Sequence, residues 1–80
     1  MIISDHARKA MLNDGITEEE IKACIEHGER EIKQLAEGEV RYGNKLELKN
    51  KTIIVIYTYR DKKTRVITCY IIQRKKWQKQ

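Results

Sequence analysis

Residues 52–60, TIIVIYTYR, and 65–73, RVITCYIIQ, are β-branched and aromatic almost throughout, with DKKT between them. That composition reads as two strands joined by a turn, the first of them central in its sheet. So short a connection makes the pair antiparallel. Side chains alternate along a strand, so the second run separates into two sets. Ile67, Cys69 and Ile71 form a wholly apolar set and are expected to face the core. Val66, Thr68, Tyr70 and Ile72 fall on the other side, which points Thr68 and Tyr70 to an open face. In the first run Ile54 and Ile56 separate from Val55, Tyr57 and Tyr59. The three tyrosines Tyr57, Tyr59 and Tyr70 can then share one aromatic surface if the pairing register brings them together.

The first third of the chain has the other period. Ala7, Ala10 and Met11 recur at helical spacing, which predicts a helix over 5–14, capped by Ser4 or Asp5 and ended by Gly15. ITEEEI carries a capping box, Thr17 with Glu20 three residues on, and Ile16 and Ile21 make its hydrophobic staple. Ile21, Cys24 and Ile25 give that second helix its apolar face, and His27–Gly28 closes it. Past Gly28 the period changes again. Ile32 begins a strand, LAEGEVRY is a hairpin or an irregular connection, and Gly43–Asn44 offers a tight turn. Leu46 and Leu48 alternate with charged residues before a second turn near Asn50 and Lys51. The expected fold class is α+β: two N-terminal helices packed on a four-stranded antiparallel meander, a single domain over 1–80 with a basic tail at 74–80.

Size and charge narrow the function. A chain of 80 residues buries only about 60% of its unfolded surface, so the core is thin and one sheet face stays partly wet. The longest apolar run is far short of the roughly 20 residues of a membrane helix. MIISDHARK lacks the basic-then-apolar order of a secretory signal, so the expected location is the cytoplasm. Cys24 and Cys69 are then expected to be reduced and packed in the core. With no nearby ligand partners they do not make a metal site, and no motif for a cofactor occurs. Residues 1–40 hold 5 Lys/Arg and 10 Asp/Glu, a net of −5, whereas residues 41–80 hold 12 and 2, a net of +10. Cations gathered in one half suit a polyanion, or guard a sheet edge against aggregation.

Tyrosines among cations suit RNA, since bases stack on rings and cations meet phosphates. The candidates are Tyr57 and Tyr59, with Arg41, Arg60, Arg65 and Arg74 around them and Trp77 in the tail. Metal-independent cleavage of RNA needs a base for the 2′-hydroxyl, an acid for the leaving oxygen and cations for the developing charge. His6, in the first turn of a helix whose positive end favours neutral imidazole, can take a proton. Thr68 and Tyr70 are the hydroxyls that such a site can use.

HARKAM, then GITEEEI, then a late VITCY together resemble the family known as domain of unknown function 4258. The resemblance spans nearly the whole chain. That family looks related to small RNase toxins of the RelE, barnase and colicin types, whose plan is N-terminal helices followed by a curved antiparallel sheet. The resemblance implies an RNase-like fold and places His6, Thr68 and Tyr70 at motif positions. It also implies RNA as substrate and an antitoxin protein as partner, with no small-molecule cofactor and no membrane. Ala10 and Asp14 stand where the family pattern carries arginines; Arg8 and Lys9 are the candidate replacements. The runner-up reading is a binding or protein-interaction module on the same frame, without the chemistry.

Overall fold

The computed structural model describes residues 1–74, so Trp77 and the rest of the basic tail lie outside the described residues. The elements run β1 (Ile2–Ile3), α1 (Asp5–Asp14), α2 (Glu18–His27), β2 (Glu29–Ala36), β3 (Glu39–Glu47), β4 (Lys51–Arg60) and β5 (Lys63–Arg74). Both helices follow the local code. Ser4 caps α1 by accepting from the Ala7 N–H at 3.0 Å, and Gly15 ends it in the left-handed region at φ 68°. In α2 the capping box is complete. Glu20 N–H donates to Thr17 Oγ1 at 3.1 Å, and Thr17 N–H donates back to Glu20 Oε1 at 2.9 Å.

The sheet is five-stranded and mixed, in the order β1-β5-β4-β3-β2, rather than four-stranded and antiparallel. The added strand is β1, which runs parallel to β5 through Ile2↔Arg65 and Ile3↔Val66. Two residues are too few to leave an alternation pattern, and only the tertiary fold brings them to the edge of β5. The next residue reinforces the join: Ser4 N–H donates to Val66 O at 3.1 Å and its hydroxyl to Ile67 O at 2.9 Å.

Two expectations for the strands are corrected. Gly43–Asn44 is not a turn, because β3 continues through both. The β2–β3 reversal is at Glu37–Gly38, whose φ values of 52° and 79° suit a two-residue hairpin turn. A glycine is needed at 43 for space. A Cβ there would stand 2.9 Å from Ile32 Cβ and 3.0 Å from Ile56 Cδ1, two side chains that close over it.

The second correction concerns faces. Ile56 pairs with Thr68 but Tyr57 pairs with Val66, which leaves Ile67 as an extra residue in β5. A bulge of this kind breaks strict alternation. Val66 and Cys69 therefore both lie in the core, each 1% exposed, and Ile67 is displaced from it. The core is built from Ile3, Ala7, Ile16, Ile21 and Cys24 against Ile53, Val55, Tyr57, Val66 and Cys69. Both helices cover this one face; α1 lies along β5, and α2 lies against β3 and β4. Both cysteines are free and buried, and burial pushes the Cys24 thiol up to about 11.

Candidate functional site

The face turned away from the helices carries the cations. Cross-strand partners share a face, so the row Ile2, Arg65, Thr58, Arg41 is read directly from the register. Arg60 stands two residues along β4 from Thr58 on the same side. With strands about 4.8 Å apart, Arg41 and Arg65 flank Thr58 with roughly 10 Å between their backbones. The three arginines line a trough of about 250 Å³ whose walls are β1 with Ser4 on one side and the β2–β3 hairpin on the other. Its floor is Thr58, which is buried and donates its hydroxyl to Val40 O at 2.6 Å.

Two carboxylates share the trough. Glu39 Oε2 accepts from Arg60 Nη2 at 2.7 Å, while its Oε1 lies 4.0 Å from Arg41 Nε. Glu37 Oε2 lies 3.7 Å from Arg41 Nη2. Arg41 Nε is buried and has no hydrogen-bond partner among the described residues. Arg65 has no ion pair among them.

Thr68 is opposite Ile56, two pairs along from the Arg65–Thr58 pair, so it continues the same face. Tyr70 follows opposite Ile54 and is 41% exposed. His6 is exposed in the first turn of α1, two residues after the Ser4 that holds Val66 and Ile67. Ser4 thus fixes the start of α1 beside Val66 and Ile67, while α1 itself covers the core face and Thr68 lies on the opposite face of β5. Among the described residues no hydrogen bond joins His6 to Thr68 or Tyr70.

The aromatic surface is not the expected one. Tyr57 pairs with Val66 and belongs to the core face, whereas Tyr70 pairs with Ile54 on the opposite face. Tyr57 is 1% exposed, so it has no ring surface to offer a base. It packs instead with Tyr42 and Tyr59, with centroids 5.6–5.7 Å apart, and Arg30 lies 4.2 Å over the Tyr42 ring. Tyr59 is exposed, but on the helix side, with the sheet between it and the arginine trough. The remaining cations are dispersed. Arg8 lines a hollow with Met11, Leu12 and Ile16, Lys9 is exposed on α1, and Arg74 reaches Asp14 O at 3.5 Å.

Sequence reasoning missed Glu37 and Glu39, which look like any solvated glutamates until the hairpin tip is placed. It also missed Asn44. This buried side chain donates to Cys24 O and Ile25 O at 3.1 and 3.2 Å and accepts from the Tyr57 hydroxyl at 3.1 Å. Reading β3 unbroken through Gly43 would have put Tyr42, Asn44 and Leu46 together on the core face.

The structure thus defines a small α+β domain, two helices on one side of a five-stranded mixed sheet and a cationic trough on the other. Residues 3–71 match the family described as "Domain of unknown function (DUF4258)", and the chain belongs to that family. Neither the curated proteins nor the solved structures contain a match to it. No described helix is long and apolar enough to cross a membrane, and among the described residues no group of three or more His, Cys, Asp or Glu is placed to hold a metal.

Proposed function

We propose that the domain binds single-stranded RNA by its phosphate backbone, on a frame of the RelE/barnase type, and cleaves it without a metal. The observation that carries this is the convergence of Arg41, Arg60 and Arg65 around one buried threonine on the helix-free face, with Thr68 two pairs further along. Arg60 and Thr58 of β4 line the trough, and a strand continued from it along the same face passes toward Thr68. In this reading the arginines offset phosphate charge, Thr68 and Tyr70 position the ribose or phosphate, and His6 moves the proton. The protein works in the cytoplasm, and an antitoxin with an acidic segment restrains it by covering the trough.

RNA cleavage by the purified protein tests this, with and without EDTA, beside His6→Ala and Arg65→Gln. Cleavage that resists EDTA, disappears with His6→Ala and weakens with Arg65→Gln is the expected result. A second reading has an observation of its own. Among the described residues no hydrogen bond or ion pair orients His6, and Glu37 and Glu39 engage Arg41 and Arg60, which suits a binder without chemistry. Salt-sensitive RNA binding by wild type and His6→Ala alike, with no cleavage by either, would select it.

A further inference from the structure

Three arginines and two glutamates facing one trough leave it with a net charge of only about one. The carboxylates are not equivalent. Glu37 is on the hairpin turn, its side chain 87% exposed, and meets Arg41 at 3.7 Å. Glu39 is at the start of β3 with its side chain 23% exposed. Its two oxygens address different arginines: Oε2 accepts from Arg60 at 2.7 Å, and Oε1 stands 4.0 Å from Arg41 Nε, too far to hydrogen-bond it. That Nε is buried and unsatisfied, although a buried donor without a partner is costly. A tetrahedral phosphate has more acceptor oxygens than a carboxylate and reaches two guanidinium groups at once.

We infer that Glu39 is a resident substitute for phosphate, and that an incoming phosphodiester must displace it from Arg60 and Arg41. The inference rests on the RNA-binding reading and adds a residue that opposes binding. Its physics is competition. Each arginine that turns to RNA gives up a carboxylate, and the released Glu39 then faces the phosphate as a like charge. Removing the Glu39 charge frees Arg60, adds one net positive charge to the trough and removes that repulsion. The gain depends on exposed charges, so salt must reduce it. Arg65, which has no ion pair among the described residues, makes the first contact in either protein.

The test is the affinity of a fluorescent single-stranded oligouridylate for wild type, Glu39→Gln and Glu31→Gln. Glu31 pairs with Lys45 at 3.3 Å, away from the trough, so its variant makes the same change of net charge elsewhere. Glu39→Gln is expected to bind on the order of fivefold more tightly at low salt, with the advantage shrinking as salt rises. Glu31→Gln is expected to match wild type. Equal or weaker binding by Glu39→Gln overturns the inference, and so does an equal gain from Glu31→Gln, which would mean a general charge effect. Arg65→Gln separates the two levels. If it weakens RNA binding while Glu39→Gln does not strengthen it, the trough binds RNA and only the role of Glu39 falls. Where no protein binds RNA, the RNA reading falls, and inorganic tripolyphosphate decides the rest. Followed by the Nε–H NMR signals of Arg41 and Arg60, it must saturate Glu39→Gln at lower concentration than wild type.

Discussion

Asn44 shows how much one side chain can join. Its amide donates to two carbonyls at the end of α2, its oxygen takes the Tyr57 hydroxyl, and its backbone carbonyl accepts the Cys24 thiol at 3.1 Å. A helix end buried against a sheet leaves orphan carbonyls; Asn44 satisfies Ile25 O and adds a second donor to Cys24 O, which also accepts the Gly28 N–H at 2.9 Å. Asn44→Ala would leave the Ile25 carbonyl and the Tyr57 hydroxyl proton without these partners. The expected loss is about 1–3 kcal/mol, the penalty for buried polar groups left unpaired, read as a lower midpoint in urea with an unchanged m-value. An unchanged midpoint would mean that water replaces the amide. The residue was invisible in the sequence because Gly-Asn is also a hairpin turn pair, and local chemistry does not distinguish a turn from a strand packed closely at a glycine. The arginines were legible as residue types. Their gathering was not, since it depends on which residue of β3 stands opposite Thr58.

At the scale of elements, two junctions set the geometry. Lys51 begins β4 almost wholly buried, donating to Gly15 O at 2.7 Å and pairing with Glu20 Oε1 at 2.9 Å, so one ammonium ties both helices to the sheet. Burial works against the Glu20 carboxylate, but the Thr17 N–H and Lys51 outweigh it and hold its pKa below the usual 4.5. A carboxylate whose pKa is depressed in the fold stabilises it above the unfolded pKa, and that contribution is lost as pH falls through the folded value. Glu20→Gln keeps the box geometry without the charge. It should therefore melt below wild type at pH 7, and the gap should close as the pH falls below 4.5. A gap of constant size would assign the effect to packing. The β4–β5 turn offers an opposite case. Asp61 and Lys62 both have positive φ, 53° and 63°, which glycine tolerates best. Lys62→Gly should raise stability by about 0.5–1 kcal/mol, the relief of left-handed strain less the entropy of glycine. Thermal unfolding reads this directly.

For the whole molecule, the sheet is a partition. Its helix side holds the core and the tyrosine cluster, and its free side holds the trough, so one RNA strand cannot stack on Tyr59 and lie along Arg65 without wrapping the sheet end. Binding in the trough alone predicts that Tyr59→Leu leaves RNA affinity within about twofold of wild type, well under the 1–3 kcal/mol of a stacked base. Arg65→Gln, in contrast, should weaken binding and flatten the plot of log affinity against log salt by about 0.7, the contribution of one single-strand phosphate contact. Fluorescence anisotropy over a salt series measures both. A steep loss with Tyr59→Leu and none with Arg65→Gln would move the site to the helix side.

Both helices, with their caps and their order before a run of strands, were readable from the chain because capping boxes, left-handed glycines and apolar periods act within a few residues. So were the two β-rich runs and the face that groups Val55, Tyr57 and Tyr59. The parallel pairing of Ile2 and Ile3 was decided elsewhere, by contact with residues more than sixty positions away. The bulge at Ile67 was likewise a product of pairing: it exists only relative to Ile56 and Tyr57 opposite, yet it chooses which half of β5 enters the core. Glu39 between Arg41 and Arg60 is the functional counterpart. Charge composition announces a basic surface, but cross-strand register decides whether a carboxylate stands within that surface, because ion pairs form in space and alternation sees only the strand it runs along.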